Sequence, residues 1–445
     1  MDVLSVGNNN TGRLSRPLLI VLAADAVLAC RLFLTVHTEA VNIFYWDQWD
    51  FNDPILFNPQ PLWQAFRHQH GPHRQGLGAF VGLLVGRLSH WSTRAEAFSL
   101  GIIVVIASLC ALWLKRRLFG SLTYSDLIIP MLFFTRVQWE TFLGSTNPAL
   151  GSLPLLVIVL YGMAWTCRRE ILKYPLILIL NFLAIYTGYG LFLGFVTPVL
   201  LALDAYQTAR TSGHTPWHPV VACFVSVASI ISFFAGYVRN PDCIAFIHSH
   251  PFSYLAFVAT MFSGFLAVRG FYFSRVSGAL LLAILIVIAV IQLRRLFLAS
   301  ANTRNLRIIV LALITFSLLF SSVTAAGRIC LESGSGQTSR YMIYLVPAFL
   351  GIYFFALTLS RKTRTDSVAT LLVLSLLASF PTGVAHKGTM QKARLEWKNC
   401  YLWLEDVGRC DEITNFTIYP PPETATHLQE KLLYLKQHQL NLYAK

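Results

Sequence analysis

Residues 280–291 read LLLAILIVIAVI, an apolar run that contains no charged side chain. Similar runs occupy Leu176–Ile185 and Ile308–Leu319, and hydrophobic residues make up 55% of the 445-residue chain. Only 13% of the residues are charged, whereas soluble domains have about 25%. Continuous apolar runs are typical of transmembrane helices, because the strands of a β-barrel would alternate apolar and polar residues. The sequence therefore predicts an all-α, polytopic transmembrane helical bundle.

The basic residues are concentrated beside the apolar runs, in a chain with a formal net charge of +14. Their clusters are Lys115-Arg116-Arg117, Arg168-Arg169, Arg294-Arg295, and Arg361 with Lys362 and Arg364. Positive residues mark the cytoplasmic ends of membrane helices, so the charge indicates topology and no nucleic-acid partner is expected. Arg13 and Arg16 directly precede the apolar Pro17–Val36. This order predicts a retained first helix with a cytoplasmic N-terminus rather than a cleaved signal peptide.

Apolar length and charge bias together predict about eleven spans. They are expected at 17–37, 95–114, 124–138, 149–167, 173–187, 190–206, 217–237, 276–294, 306–326, 341–359 and 367–384. The segment 252–268 is expected to be re-entrant or to lie on the surface, because a crossing there would invert the later charge pattern. We expect a transmembrane domain of residues 1–385, with an outer loop at 38–94 that includes an interfacial helix at 76–90. An extracytoplasmic tail, 386–445, follows it and is expected to be helical near 425–440.

Four of the eight cysteines fall in stretches assigned to the outer side: Cys243, Cys330, Cys400 and Cys410. A disulfide between Cys400 and Cys410 is expected in an oxidising compartment, with Cys243 and Cys330 as a weaker second pair. No CxxC spacing is present, so the cysteines do not indicate a zinc or redox site.

The outer loop contains a dense polar motif, Asn42–Gly76, with the sequence NIFYWDQWDFNDPILFNPQPLWQAFRHQHGPHRQG. It places the following residues in one loop: Asp47, Asp50, Asp53, His68, His70, His73 and Arg74. Charged groups near a membrane are costly and usually have a function. The motif is therefore the first candidate for a site.

Two aspartates of this motif are candidate catalytic residues. Asp47 and Asp50 are interleaved with Trp46 and Trp49, and tryptophan favours the headgroup level of a membrane. A partly desolvated aspartate held at that level could act as a general base on a sugar hydroxyl. The alternative is an interfacial loop in which the acids are simply solvated. Asp53, before Pro54, is expected to be a turn residue.

Two functions are considered for the histidines of this motif. His68, His70 and His73 could bind a divalent metal, but their spacing matches no standard zinc pattern. We expect no metal cofactor. Instead, His73 and Arg74 are predicted to begin the following helix and face a phosphate, which guanidinium binds through forked, charge-assisted hydrogen bonds.

His70 is also a candidate substrate-binding residue. Further candidates lie on other predicted outer turns: Glu140, Arg239, Arg328, Ser339, Arg340 and Tyr341. Arg340 at the start of a span opposes the helix dipole unless it binds an anion, which favours a ligand phosphate. Pairing with Glu332 or Asp47 is the structural alternative for Arg340, and a simple rim loop is the alternative for Glu140.

The arrangement resembles the GT-C glycosyltransferases, membrane enzymes that use polyprenyl-phosphate-linked sugars. The shared features are the cytoplasmic N-terminus, the acids beyond the first span, the interfacial helix and the polar outer tail. More narrowly, YWDQWD, HGPHR and GRICLESGSGQTSRY are similar to motifs of a group of uncharacterised bacterial multi-pass membrane proteins. The resemblance implies a bacterial inner membrane location, Asp47 as catalytic base beside Asp50, and ligand-binding roles for His73, Arg74 and Ser339-Arg340-Tyr341. Gly71 and Pro72 replace the asparagine and glutamate of the second motif.

The leading hypothesis is an inverting GT-C-like glycosyltransferase. It would move a sugar from a polyprenyl-phosphate donor to a lipid, glycan or protein acceptor at the extracytoplasmic face, in contact with membrane lipids. No Walker, GxGxxG, HExxH or GxSxG motif is present, so nucleotide hydrolysis and dinucleotide chemistry are not expected. The alternative is a transporter or flippase for a lipid-linked or anionic substrate, favoured by two short predicted spans joined at Thr187-Gly188-Tyr189-Gly190.

Overall fold

The chain folds almost entirely into α-helices, which confirms the predicted class. The computed structural model describes residues 15–143, 147–213, 216–238, 249–297, 301–330, 333–379, 384–419 and 428–444. Up to the middle of the chain the helices are α1 (Arg16–Glu39), α2 (Gln48–Phe51), α3 (Leu62–Arg67), α4 (Leu77–Leu88), α5 (Thr93–Phe119), α6 (Ile128–Phe133), α7 (Trp139–Leu143), α8 (Ser152–Trp165), α9 (Glu170–Tyr186) and α10 (Leu191–Ser212). The remaining helices are α11 (Trp217–Phe234), α12 (Pro251–Phe265), α13 (Phe271–Leu296), α14 (Ala301–Arg328), α15 (Val346–Ala356), α16 (Arg361–Ser379), α17 (Val384–Leu404), α18 (Val407–Thr414) and α19 (Leu428–Gln437).

Seven of the described helical segments are long and apolar enough to cross a bilayer, so the protein is an integral, multi-pass membrane protein. They are Arg16–Glu39, Thr93–Phe119, Gly188–Thr211, Trp217–Phe234, Phe271–Leu296, Thr303–Arg328 and Ser339–Ala356. Helix α8 coincides with another predicted span but has 14 residues, fewer than the roughly 20 that a perpendicular helix needs. The total of eleven spans stays a prediction.

The predicted span 124–138 is not one helix. A 3-10 turn at Tyr124–Leu127 leads into α6, which ends at Phe133, and Thr135 is extended. The side-chain hydroxyl of Thr135 donates to the carbonyl of Ala378 at 2.9 Å, so this break is held by α16. The expected apolar helix is interrupted because its second half packs as a folded loop inside the protein. The ambiguous segment 252–268 forms α12, a helix of 15 residues whose second half is buried.

The tail packs directly onto the loop that carries the polar motif. Trp49 and Tyr45 of the loop share a hydrophobic core with Trp397 and Leu432 of the tail. The amide of Trp46 donates to the carbonyl of Ile418 at 3.1 Å. The predicted disulfide between Cys400 and Cys410 is confirmed and joins α17 to α18. Cys330 is also disulfide-bonded, whereas Cys243 lies outside the described residues.

A short hairpin replaces the predicted helix start at His73 and Arg74. Strand β1 (Gln69–His70) pairs antiparallel with strand β2 (His73–Arg74), and His70 lies opposite His73. Gly71, at a φ of +55°, makes the tight turn possible. The expectation that His73 and Arg74 begin a helix is wrong, since α4 starts only at Leu77.

Gly76 lets the chain pass from the hairpin into α4. Its φ is +51°, and a Cβ there would collide with the backbone of Tyr186 and the side chain of Thr187. Only glycine adopts this φ without strain and also leaves room for these two neighbours. The hairpin is thereby packed against the joint between α9 and α10.

The opposite end of the bundle carries buried ion pairs. Asp204 of α10 lies 3.1 Å from the ammonium of Lys173, at the start of α9, and 3.2 Å from the guanidinium of Arg304, at the start of α14. Lys115 and Asp126 form a second buried pair at 2.7 Å. These contacts tie together the helix ends that lie away from the polar loop.

Candidate active site

Asp47 lies at the bend between α1 and α2. The preceding residue, Trp46, has a φ of +49°, a conformation that the contact with the tail holds in place. One carboxylate oxygen of Asp47 lies 3.6 Å from Nε2 of His70. The other ring nitrogen of His70 lies 3.8 Å from the carboxylate of Asp50. The imidazole of His70 therefore stands between the two candidate catalytic acids.

The surroundings of Asp47 keep its carboxylate ionised. Partial burial alone would raise its pKa, but the hydrogen bond and charge of His70 and the charge of Arg340 outweigh burial. They lower the pKa of Asp47 from 3.8 to about 2. Asp47 is therefore a carboxylate at any physiological pH.

Asp50 and Asp53 are held by the tail. The hydroxyl of Tyr419 donates to the Asp50 carboxylate at 2.6 Å. The ammonium of Lys431 lies 3.0 Å from the carboxylate of Asp53, and it also donates to the carbonyl of Trp49 at 3.3 Å. These contacts restrict both acids to one side of the loop.

A cavity opens beside Asp47, with a volume of about 460 Å³ including its open mouth. Its polar walls are provided by residues from distant parts of the chain, namely Asp47, His70, His73, Tyr189, Arg328, Arg340, Tyr341 and Tyr344. The structure thus brings together the loop motif, the end of α14 and the 3-10 turn Ser339–Tyr344 that precedes α15.

The two arginines of this cavity have unused donors. Within the described part of the chain, neither the Arg328 nor the Arg340 guanidinium donates a hydrogen bond or lies in an ion pair of 4 Å or less. Asp47 and Glu140 act on the charge of Arg340 only from farther away. The Arg340 guanidinium lies 5.6 Å from the ring centre of Tyr341. Two guanidinium groups in one cavity, neither in a close ion pair with a described residue, suit an anion. Glu332, an expected partner of Arg340, lies outside the described residues.

Glu140 and Ser339 lie behind Arg340 rather than in the cavity wall. The amide of Glu140 donates to the hydroxyl of Ser339 at 3.1 Å, and the amide of Arg340 donates to the Glu140 carboxylate at 2.9 Å. This reciprocal pair fixes the backbone from which Arg340 extends. Burial raises the pKa of Glu140. The charge of Arg340 and the backbone hydrogen bonds of Arg340 and Ser339 to the carboxylate act in the opposite direction.

Arg74 lies outside the cavity. Its guanidinium donates to the carbonyl of Phe233 at 2.8 and 3.1 Å, to the carbonyl of Ala235 at 3.0 Å and to the carbonyl of Arg67. It also lies over the rings of Phe233 and Tyr186. Successive side chains of a strand point to opposite sides, so His73 faces the cavity and Arg74 faces α11. The structure assigns Arg74 a role in packing.

A second cavity begins on the other side of His70. Its volume is about 1230 Å³, including space open to solvent. Acids, imidazoles and aromatic rings line it: Asp50, Asp53, Phe57, His68, His70, Glu430, Lys431 and Tyr434. His70 therefore belongs to both cavities.

Three residues that line or contact the site were not predicted from the sequence: Tyr344, Tyr419 and Lys431. Tyr344 follows Tyr341 by three residues, which places both on one face of a 3-10 turn, so this spacing was a usable signal. No comparable sequence pattern indicated Tyr419 or Lys431 of the tail. Arg239 lies outside the described residues, and within the described ranges no group of three or more His, Cys, Asp or Glu is placed to hold a metal ion.

No protein-family model matches the sequence, and no curated protein matches it either. Among solved structures, the chain is similar to the archaeal oligosaccharyltransferase AglB from Archaeoglobus fulgidus, determined with an inhibitory peptide and a dolichol-phosphate. The identity is 14% and the TM-score is 0.39. The match covers 92% of this chain and 60% of AglB. A similarity this distant identifies neither substrate nor reaction, so both must follow from the side chains of the chain itself.

Proposed function

We propose that the protein is a membrane glycosyltransferase that takes a sugar from a polyprenyl-phosphate donor. The observation that carries this proposal is the placement of the Asp47 carboxylate and the guanidinium groups of Arg328 and Arg340 in one cavity of a membrane protein. Transfer from a lipid phosphate requires a base for the acceptor hydroxyl and cations for the departing phosphate. Asp47 would serve as the base, and Arg328 and Arg340 as the cations.

The proposed step is an inverting displacement. The acceptor oxygen forms a bond to the anomeric carbon of the sugar as the bond from that carbon to the phosphate oxygen breaks. The hydroxyl proton passes to Asp47, and the electron pair of the broken bond stays on the phosphate. Arg328 and Arg340 stabilise the additional negative charge that develops there.

Donor binding would also strengthen Asp47 as a base. In the free protein, the charge of Arg340 helps to hold the pKa of Asp47 at about 2. An anionic phosphate between Asp47 and the guanidinium groups would offset that positive charge and raise the pKa of Asp47. The carboxylate would then accept a proton more readily at the moment the donor is in place.

The second cavity supplies a route for the acceptor. It is open to solvent, and it shares His70 with the cavity that contains Asp47. We therefore place the acceptor there and assign Asp50 to holding His70 on the side opposite Asp47. The basic clusters lie on helix ends away from this region, which supports a cytoplasmic N-terminus and an extracytoplasmic site.

A donor-cleavage assay tests the proposal. The purified chain in detergent micelles is incubated with polyprenyl-phosphate-linked sugars and a membrane extract as the source of acceptor. Release of free polyprenyl phosphate, together with sugar incorporation, is expected. Absence of cleavage with every donor, combined with movement of intact lipid-linked sugar between leaflets of reconstituted vesicles, would establish the transporter alternative instead.

A further inference from the structure

The side chain of His73 is buried in the wall of the first cavity. Its residue exposure is 4%, and neither ring nitrogen has a hydrogen-bond partner among the described residues. The ring lies 5.8 Å from that of Phe51 and 5.1 Å from that of Tyr189, centre to centre. Buried polar groups normally have partners, so two unpaired nitrogens on a residue that lines a cavity point to a ligand.

Burial and the surrounding positive charges keep the ring of His73 neutral. Burial lowers its pKa to about 3, and the charges of His70, Arg328 and Arg340 act in the same direction against Asp47. A neutral imidazole has one N–H donor and one nitrogen that accepts. Its ligand must therefore supply a hydrogen-bond acceptor on one side and a hydrogen-bond donor on the other.

A phosphate diester cannot satisfy both nitrogens, because it has only acceptor oxygens. A sugar can, because each hydroxyl both donates and accepts. We propose that His73 recognises the transferred sugar, accepting a hydrogen bond from one of its hydroxyls, while Arg328 and Arg340 hold the phosphate. This inference rests on the proposed function and adds to it a division of the donor cavity into a phosphate part and a sugar part.

The aromatic neighbours of His73 fit this assignment. Tyr189 and Tyr344 line the same cavity, and their rings lie 5.2 Å apart at 80°. Flat apolar ring faces suit the C–H surfaces of a sugar, whereas a phosphate gains nothing from them. The guanidinium groups and the imidazole therefore offer different chemistry within one cavity.

Binding measurements on the full chain in detergent separate the two parts. The probes are farnesyl phosphate, which has no sugar, and farnesyl phosphoryl glucose, mannose, galactose and arabinose. The variants are His73→Phe, which keeps a ring, and His73→Asn, which keeps a donor and an acceptor. His37→Phe, on the exposed end of α1, is the matched control.

For the wild type, at least one sugar should strengthen binding relative to farnesyl phosphate. His73→Phe should reduce that sugar-dependent gain roughly tenfold and leave the affinity for farnesyl phosphate within twofold. His73→Asn should recover part of the gain, and His37→Phe should match the wild type.

Equal weakening of all probes by His73→Phe would make His73 a phosphate ligand and overturn the inference. An unchanged gain, or no gain from any sugar in the wild type, would also overturn it while leaving phosphate binding intact. A wild type that does not bind farnesyl phosphate contradicts the proposed function itself, so the two failures are distinguishable.

Discussion

The two ends of the bundle differ in how their charged side chains are paired. At the end that carries Asp204, its carboxylate lies within 3.2 Å of two cations, and Tyr174 also donates to it at 2.9 Å. At the loop end, Arg328 and Arg340 face a cavity with no ion pair to any described residue. Both arginines are half-buried, so they keep contact with water and bear less of the desolvation cost of a buried, unpaired charge.

This difference distinguishes charged side chains with a structural role from those with a proposed functional role. Charges that join helices should matter for stability and little for ligand binding. Charges that face a cavity without a partner should matter for binding and little for stability. Each prediction below tests one side of this contrast.

The largest effect is expected at Asp47. Asp47→Asn removes the proposed base while keeping size and shape, so the transfer rate should fall about 100- to 10,000-fold. The measurement is sugar transfer from the polyprenyl-phosphate donor by the purified protein, with equal amounts of folded enzyme. Asp366→Asn, at an exposed position of α16, is the matched control. A rate within threefold of the wild type would remove Asp47 from the chemistry.

Asp204→Leu should produce the largest loss of stability. It leaves Lys173 and Arg304 without their counterion, and breaking a buried pair on one side destabilises a protein by about 3–5 kcal/mol. Denaturant unfolding in detergent measures the change. The double variant Asp204→Leu with Lys173→Met removes one stranded cation and should recover part of the loss. No recovery would mean that the pair does not act as a unit.

Arg340→Gln should weaken farnesyl phosphate binding about 10- to 100-fold, because a hydrogen bond to a charged group contributes about 1.5–3 kcal/mol. The unfolding midpoint should fall less than in Asp204→Leu, since Arg340 interacts with Asp47 and Glu140 only over a longer distance. Arg74→Gln is the complementary variant. It should lower the midpoint, because four hydrogen bonds to carbonyl groups are lost, and leave binding within twofold. If Arg74→Gln weakened binding and Arg340→Gln lowered the midpoint, Arg74 would be the phosphate ligand and Arg340 the packing residue.

The last prediction concerns the pH dependence of stability. His73 has a folded pKa of about 3, below its unfolded value of 6.5, so only the unfolded chain binds a proton between these values. This contribution to stability is present above pH 6.5 and is lost as the pH falls towards 3. The unfolding midpoint of His73→Phe should therefore depend less steeply on pH between 6.5 and 4 than that of the wild type. Parallel curves would show that the pKa of His73 is the same in the folded and unfolded chain.

Much of the fold was predictable because the bilayer imposes a simple rule. Helices must be apolar over their length, and segments such as 17–37 and 276–294 correspond closely to α1 and α13. The segment 124–138 was not predictable in this way. Its composition is apolar enough for a helix, but its second half is buried in protein, where side-chain contacts such as Thr135 to Ala378 allow a break.

The candidate site was predictable in composition and not in arrangement. Asp47, His73 and Arg340 were all expected to bind or react, and the structure places them in one cavity. Arg74 was expected to join them, because a helix start would have turned His73 and Arg74 towards one ligand. Gly71 closes a two-residue hairpin instead, and the alternation of a strand sends the two side chains apart.

The sequence by itself determined that this is an all-α, multi-pass membrane protein with a polar motif between apolar segments, because hydropathy and charge are local properties of the chain. Only the tertiary structure decided which charges are paired. Asp47, Arg328 and Arg340 come from distant parts of the sequence, and the presence or absence of a counterion depends on which helix ends meet. That pairing, rather than the number of charged residues, distinguishes the packing end of the bundle from its proposed active site.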